Sequence, residues 1–156
     1  FIGSEIFKPE DWRENRDALR PLFLKTPHMS FWLRSGLMEM VHAFVFGHWV
    51  AVQALSRALL EQAIKVNHVK LRIDLEEPGS RHSKSLERLI DEVKERFPQI
   101  ESEMDIVRRY GNKVLHGSDQ VDQVDRVQHM AKLRRDATQS IESLYAVLEM
   151  LPKLSR

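Results

Sequence analysis

Arg108-Arg109-Tyr110-Gly111-Asn112-Lys113-Val114-Leu115-His116-Gly117 reads as the end of a helix, and the rest of the chain is organised around it. At about 100° per residue, Met104, Val107, Gly111 and Val114 share one apolar stripe, with Ile100 a turn earlier. Asp105, Arg109, Asn112 and His116 then fall on the opposite side. This places an arginine, an asparagine and a histidine away from the core seam, available to solvent, to a ligand or to a second subunit. Gly111 has two readings. A glycine inside a helix costs about 1 kcal/mol against alanine, so another backbone should pack closely on it, either within the same bundle or across a dimer. Gly117 is expected to close the helix as a left-handed cap.

Working outward, every segment carries helical signals and no strand signal competes. Pro9, Glu10 and Asp11 open a short helix expected to run to about Leu19 and to stop before Pro21. Pro21 to His28 reads as an irregular connection. Met29 to Phe46 and His48 to Val66 are both helical, with Gly47 either a break or a residue inside one long helix. In the second of these, Val52, Leu55, Leu59, Ala63 and Val66 form a core stripe widened by Trp49, Leu60 and Ile64, which makes this helix central. Arg57 and Glu61 stand four apart on its less apolar face, the spacing of an intrahelical ion pair.

Leu71 to His82, with Pro78, Gly79 and Ser80, is a surface loop. Ser83 opens the next helix, whose stripe of Leu86, Leu89, Ile90, Val93 and Phe97 ends at Pro98. The final helix is expected from Val121 to Leu151, with Val124, Val127, Ala131, Ala137, Ile141, Leu144, Leu148 and Leu151 as its stripe. Arg134 and Arg135 mark where it bends or leaves the core. The expected fold class is all-α, an up-and-down bundle of about five helices in a single domain. Residues 1–28 form an N-terminal helix and connection packed on the bundle of residues 29–156.

Composition narrows the chemistry. A chain of 156 residues, 42% apolar, holds one domain with a sizeable core. With 24 Lys and Arg against 23 Asp and Glu, there is no global attraction to nucleic acid or to a membrane, so any nucleic-acid contact must be local. The absence of cysteine removes disulfides, thiolate zinc sites and a cysteine nucleophile, and agrees with a reducing, cytoplasmic setting. The most apolar run, Val41 to Leu55, is interrupted by His42, His48 and Gln53, so no membrane span or signal peptide is expected. The first residue is Phe1 and not Met, which leaves room for a longer protein with a neighbouring domain.

Arg109, Asn112 and His116, at spacings of three, four and seven, have the residue types for metal-free RNA cleavage. There the RNA 2′-hydroxyl attacks the adjacent phosphate, which needs a base near neutrality and a fixed cation. Histidine and arginine supply these, and asparagine orients one or the other. The plainer alternative is a solvated helix face, with Asp105 pairing Arg109 and His116 favoured by the helix dipole.

The run from Arg109 to His116 resembles the signature of the HEPN superfamily, the higher-eukaryote and prokaryote nucleotide-binding domains: an Arg, four to six residues, then a His. Its Gly111-Asn112, followed by three residues and then the His, resembles one branch of uncharacterised domains often attached to restriction and phage-defence proteins. Leu55-Ser56-Arg57-Ala58-Leu59-Leu60-Glu61 on an earlier helix, and the stretch from His82 to Phe97, are similar to that branch as well. The likeness runs from about His48 to Leu151.

The resemblance implies a helical bundle that dimerises so that two motifs face one cleft, and in many relatives a metal-independent endoribonuclease of toxin-antitoxin or phage-defence systems. Carried over, Arg109 holds the phosphate, His116 is acid or base, and Asn112 is the polar residue. Many relatives place that residue directly after the arginine, whereas here it comes three positions later. Some relatives have lost cleavage and serve as binding or assembly modules. The partners implied are a second copy, RNA, and an antitoxin or a neighbouring defence-protein domain, with no cofactor.

Further candidates carry less. Arg108 and Lys113 are alternative RNA contacts beside the motif, and Lys132, Arg134 and Arg135, joined by Arg126, form a basic cluster on the last helix. The plainer reading of that cluster is a solvated face balanced by Asp125 and Asp136. Glu39 and His42 have Glu-x-x-His spacing, but only one copy is present, so no metal is expected. Trp12, Trp32 and Trp49 are expected as core or interface anchors. Gly-rich phosphate loops and a Gly-x-Ser-x-Gly elbow are absent.

Overall fold

The computed structural model describes residues 9–23, 29–116 and 126–154. These residues form a bundle of seven α-helices: α1 (Pro9–Phe23), α2 (Phe31–Val45), α3 (Trp49–Val66), α4 (His68–Leu71), α5 (Leu86–Arg96), α6 (Glu101–His116) and α7 (Arg126–Met150). Short 3-10 turns occupy Pro98–Ile100 and Leu151–Lys153, and the described residues hold no strand, only an isolated bridge between Glu76 and Ser83. The expected all-α class is what is seen. The number of helices exceeds the expected five because Gly47 divides α2 from α3 and a single turn, α4, follows Asn67. The expected cap at Gly117, together with Val121, Val124 and Asp125, lies outside the described residues, as do residues 1–8 and 24–28.

Gly47 is a break because the end of α2 needs a left-handed residue. Its φ is 74°, its N–H donates to Phe44 O at 3.0 Å, and the His48 N–H donates to Ala43 O at 2.8 Å. That pair of bonds satisfies two of the last carbonyls of the helix and turns the chain into α3. Buried Asn15 of α1 donates to Val45 O at 3.1 Å, which ties the N-terminal helix to the same helix end.

Helix α1 continues through Pro21 to Phe23, four residues beyond its expected end. Proline removes one N–H bond and crowds the carbonyl four residues earlier, and with only two residues of α1 after Pro21 little helix remains to be disturbed. The cap of α5 is Ser85, whose hydroxyl accepts from the Arg88 N–H, and not Ser83.

Helix α3 is the centre, packed on α2, α6 and α7, with buried Trp49, Val52, Leu59, Leu60, Ala63 and Ile64. Around it lie Leu33, Leu37, Met40 and Phe44 of α2, Leu86, Leu89, Ile90 and Val93 of α5, Met104 and Val107 of α6, and Ala137, Ile141, Leu144 and Leu148 of α7. Three expected core positions are exposed: Val66, Val127 and Ala131. Periodicity shows a stripe but not how far its neighbours reach. Val66 is the last residue of α3, and the first two turns of α7 run clear of the core before Leu133.

Two glycines set the closest approaches. A Cβ on Gly36 of α2 would stand 2.4 Å from Leu59 Cδ2, and one on Gly111 of α6 would stand 2.4 Å from Arg57 Cβ. Gly111 is therefore explained by packing within the bundle. The two sites differ in what must yield, a flexible side-chain end at Leu59 and an atom fixed to the α3 backbone at Arg57. Gly111→Ala should thus cost about 1–3 kcal/mol through overpacking despite its better helix propensity. Gly36→Ala should cost less, because Leu59 can change rotamer. Urea unfolding of the two variants checks the order.

Candidate functional site

Helix α6 carries the site because its four sides meet four different surroundings. Ile100, just before it, and Met104, Val107 and Gly111 are buried toward α3. Tyr110 reaches α7, its hydroxyl donating to Gln139 Oε1 at 2.7 Å. Arg109 and His116 are exposed on the outer side. The guanidinium of Arg109 lies 5.4 Å from the centroid of the Tyr110 ring. Arg109 and His116 are two helical turns apart, about 10 Å along the axis at 1.5 Å per residue.

Asn112 does not share that free face. Its Oδ1 accepts from Arg57 Nε at 2.6 Å, and its Nδ2 donates to Glu87 Oε1 at 3.2 Å. A three-residue step rotates it about 60° from Arg109, which is enough to bring it onto the seam with α3 and α5. An amide has both a donor and an acceptor, so this one side chain joins a cation and a carboxylate on two other helices. Arg57 also lies 3.6 Å from Glu87 Oε1 and 3.9 Å from Glu61 Oε2, and Glu61 Oε1 holds Lys65 Nζ at 2.6 Å. Only about a fifth of the Arg57 side chain is exposed. Loss of one member would therefore leave a poorly solvated charge.

Glu87 lies in the first turn of α5. Its carboxyl titrates below its ordinary value of 4.5, chiefly because its own backbone N–H, at the start of α5, bonds to it. Partial burial opposes this, while the Asn112 amide and the charges of Arg57 and Arg108 assist it.

The basic candidates are scattered. Asp105 holds Arg108, with Nη2 to Oδ1 at 3.1 Å, and is not paired with Arg109 as the plainer reading expected. Lys113 is half-buried. Arg134 is drawn to α1 and α3, with Glu14 at 3.0 Å and the Trp49 ring centroid at 5.9 Å. Lys132 and Arg135 are exposed, and Asp136, expected to balance them on a solvated face, is buried. Trp49 is a core anchor against Phe44, with ring centroids 5.2 Å apart, whereas Trp32 is exposed and Trp12 is half-buried beside Arg13 and Arg16.

Glu39 and His42 are both exposed on α2, and among the described residues no three His, Asp or Glu side chains converge. No described helix is long and apolar enough to cross a membrane. Compared with known proteins, the chain matches no family model, no curated protein and no solved structure.

The sign of the Glu87 effect gives a test. A carboxyl that titrates lower in the folded state adds stability above its unfolded value, and that stability is lost as the pH falls through the folded one. Thermal unfolding of Glu87→Gln should therefore show a lower midpoint than the parent at neutral pH. The two curves should converge as the pH drops below about 4.5. A constant gap across that window would remove Glu87 from the network.

Proposed function

We propose that this chain is a HEPN-like, metal-independent endoribonuclease that works as a homodimer in a defence or toxin-antitoxin setting. The observation that carries the reading is the joint exposure of Arg109 and His116 on one face of α6, two turns apart, while the Gly111-Asn112 pair between them locks that helix to α3 and α5. Arg109 then holds a phosphate oxygen through its planar fork. His116 accepts the proton of the RNA 2′-hydroxyl as its oxygen attacks phosphorus. The 5′-oxygen leaves with a proton delivered by the partner subunit's His116, giving a 2′,3′-cyclic phosphate and a 5′-hydroxyl end. Leu115, Val127 and Met130, exposed on α6 and the start of α7, supply apolar surface for pairing at this end of the bundle. Asn112 enters as the residue that fixes the helix and not as one that touches RNA.

The second reading, a non-catalytic dimerisation module or a sensor of nucleotides or nucleic acid for a larger defence protein, is favoured by that same engagement. The Gly-Asn pair has a complete structural role without RNA.

Incubation of a mixed single-stranded and structured RNA with the chain in EDTA separates the two. The nuclease should cut, leave cyclic-phosphate ends, and lose at least about a hundredfold in rate with His116→Ala, as expected for a general acid-base group. Arg109→Ala should lose cutting as well. Both variants change exposed residues, so their unfolding midpoints should match the parent, whereas Asn112→Ala should lower stability by about 1–3 kcal/mol by leaving Arg57 and Glu87 short of a partner. Intact RNA with a folded dimer would leave the binding module.

A further inference from the structure

Helix α2 leaves one side bare. Phe31 and Trp32 are each 74% exposed, and Met38 and Phe46 50%. Ser35, Glu39 and His42 are exposed as well. Phe31, Ser35, Met38 and His42 are spaced four, three and four apart, which puts them in one narrow stripe at about 100° per residue. Half-buried Val45 continues the stripe by three. This is the spacing of the seam between two packed helices.

Exposed Arg34 and Glu39 flank the stripe on its two edges. Among the described residues neither has an ion-pair partner. They do not serve each other, since a five-residue step leaves them about 140° apart around their own helix, whereas neighbours on a helix surface are three or four residues apart.

We infer that this face binds the same face of a second copy of the chain, with the two α2 helices side by side, parallel, about a two-fold axis. Charge selects both the occupant and the direction. In a parallel pair, a residue on one edge meets the residue five positions later on the opposite edge of the other helix. Arg34 therefore meets Glu39 of the partner subunit, and the symmetry repeats the pair. In an antiparallel pair, like edges meet and neither charge finds its complement. Along the seam Phe31 stands beside its own copy and Met38 beside its own, with small Ser35 between them letting the helices close. The edge-to-face contact of Phe31 and Trp32, centroids 5.6 Å apart, widens the apolar surface at the start of the helix.

This contact is separate from any pairing at the α6 face. Gly36 of α2 meets Leu59, and Gly111 of α6 meets Arg57. Two residues apart, Leu59 and Arg57 point about 200° away from each other, so α2 and α6 sit on opposite sides of α3. The α2 pairing leaves Arg109 and His116 uncovered and holds whether or not the chain cuts RNA.

The chain has no cysteine, so introduced thiols report the register directly. Under mild oxidation Ser35→Cys and Met38→Cys should each form a disulfide-linked dimer with its own kind, far faster than Glu95→Cys at an exposed position of α5. A mixture of the two variants should yield few mixed dimers. In sedimentation equilibrium, Arg34→Glu and Glu39→Arg should each weaken dimerisation roughly three- to tenfold, the range for two exposed charge pairs, and the double reversal should restore it. All of these positions are exposed, so folding is not at issue. A chain that sediments as a monomer at every concentration overturns the inference. So do cross-linking no faster than the Glu95→Cys control, preferential Ser35-to-Met38 linkage, or a double reversal that restores nothing.

Discussion

The approach of α6 to α3 at Gly111 is the constraint on which the rest of the bundle depends. With no side chain at Gly111, the Arg57 stem lies against the α6 backbone, and its guanidinium arrives where Asn112 and Glu87 can both reach it. Packing and polar pairing are thus one feature. The closeness that buries Val107 and Met104 against α3 also delivers the cation, and the cation in turn fixes α5 through Glu87.

That arrangement explains why the outer face of α6 is free for other work. The contacts described for α6 lie on its inner and lateral sides: the Gly111 backbone and Val107 toward α3, Asn112 toward α5, Tyr110 toward α7. Among the described residues, Arg109 and His116 touch the scaffold only through the contact of Arg109 with its neighbouring ring. A helix locked on three sides is a rigid support for two solvent-facing groups, which is what positioning chemistry requires. The same logic, with a different residue pair, operates at α2. There Gly36 seats the inner side on Leu59 while the outer side stays bare.

Much of the candidate site was legible in the sequence, because helical periodicity decides which residues share a face. The exposure of Arg109 and His116 and the burial of Met104, Val107 and Gly111 follow from counting at 3.6 residues per turn. Asn112 leaves that free face for a reason that counting does not supply. A residue 60° off the centre of a face is solvent-exposed or interfacial depending on how close the next helix stands, and α5 stands close. Glu87 could not have been found, since nothing in the order of residues links it to positions 57 and 112. Arg134 is drawn away from the other basic residues of α7 by Glu14 and Trp49, partners on α1 and α3 that spacing along one helix does not reveal.

By itself the sequence determined the helical class, the central place of α3 and the sidedness of α6, all consequences of local chemistry, the apolar period above all; that Gly47 breaks the chain between α2 and α3 was decided by the structure. Only the tertiary structure decided which charges meet. The Arg57-Asn112-Glu87 junction is drawn from three helices separated by long stretches of chain, and its geometry is set by the distance between helix axes, which no single segment encodes. The same holds for the length of α7 that runs past the core, because coverage depends on where its neighbours end.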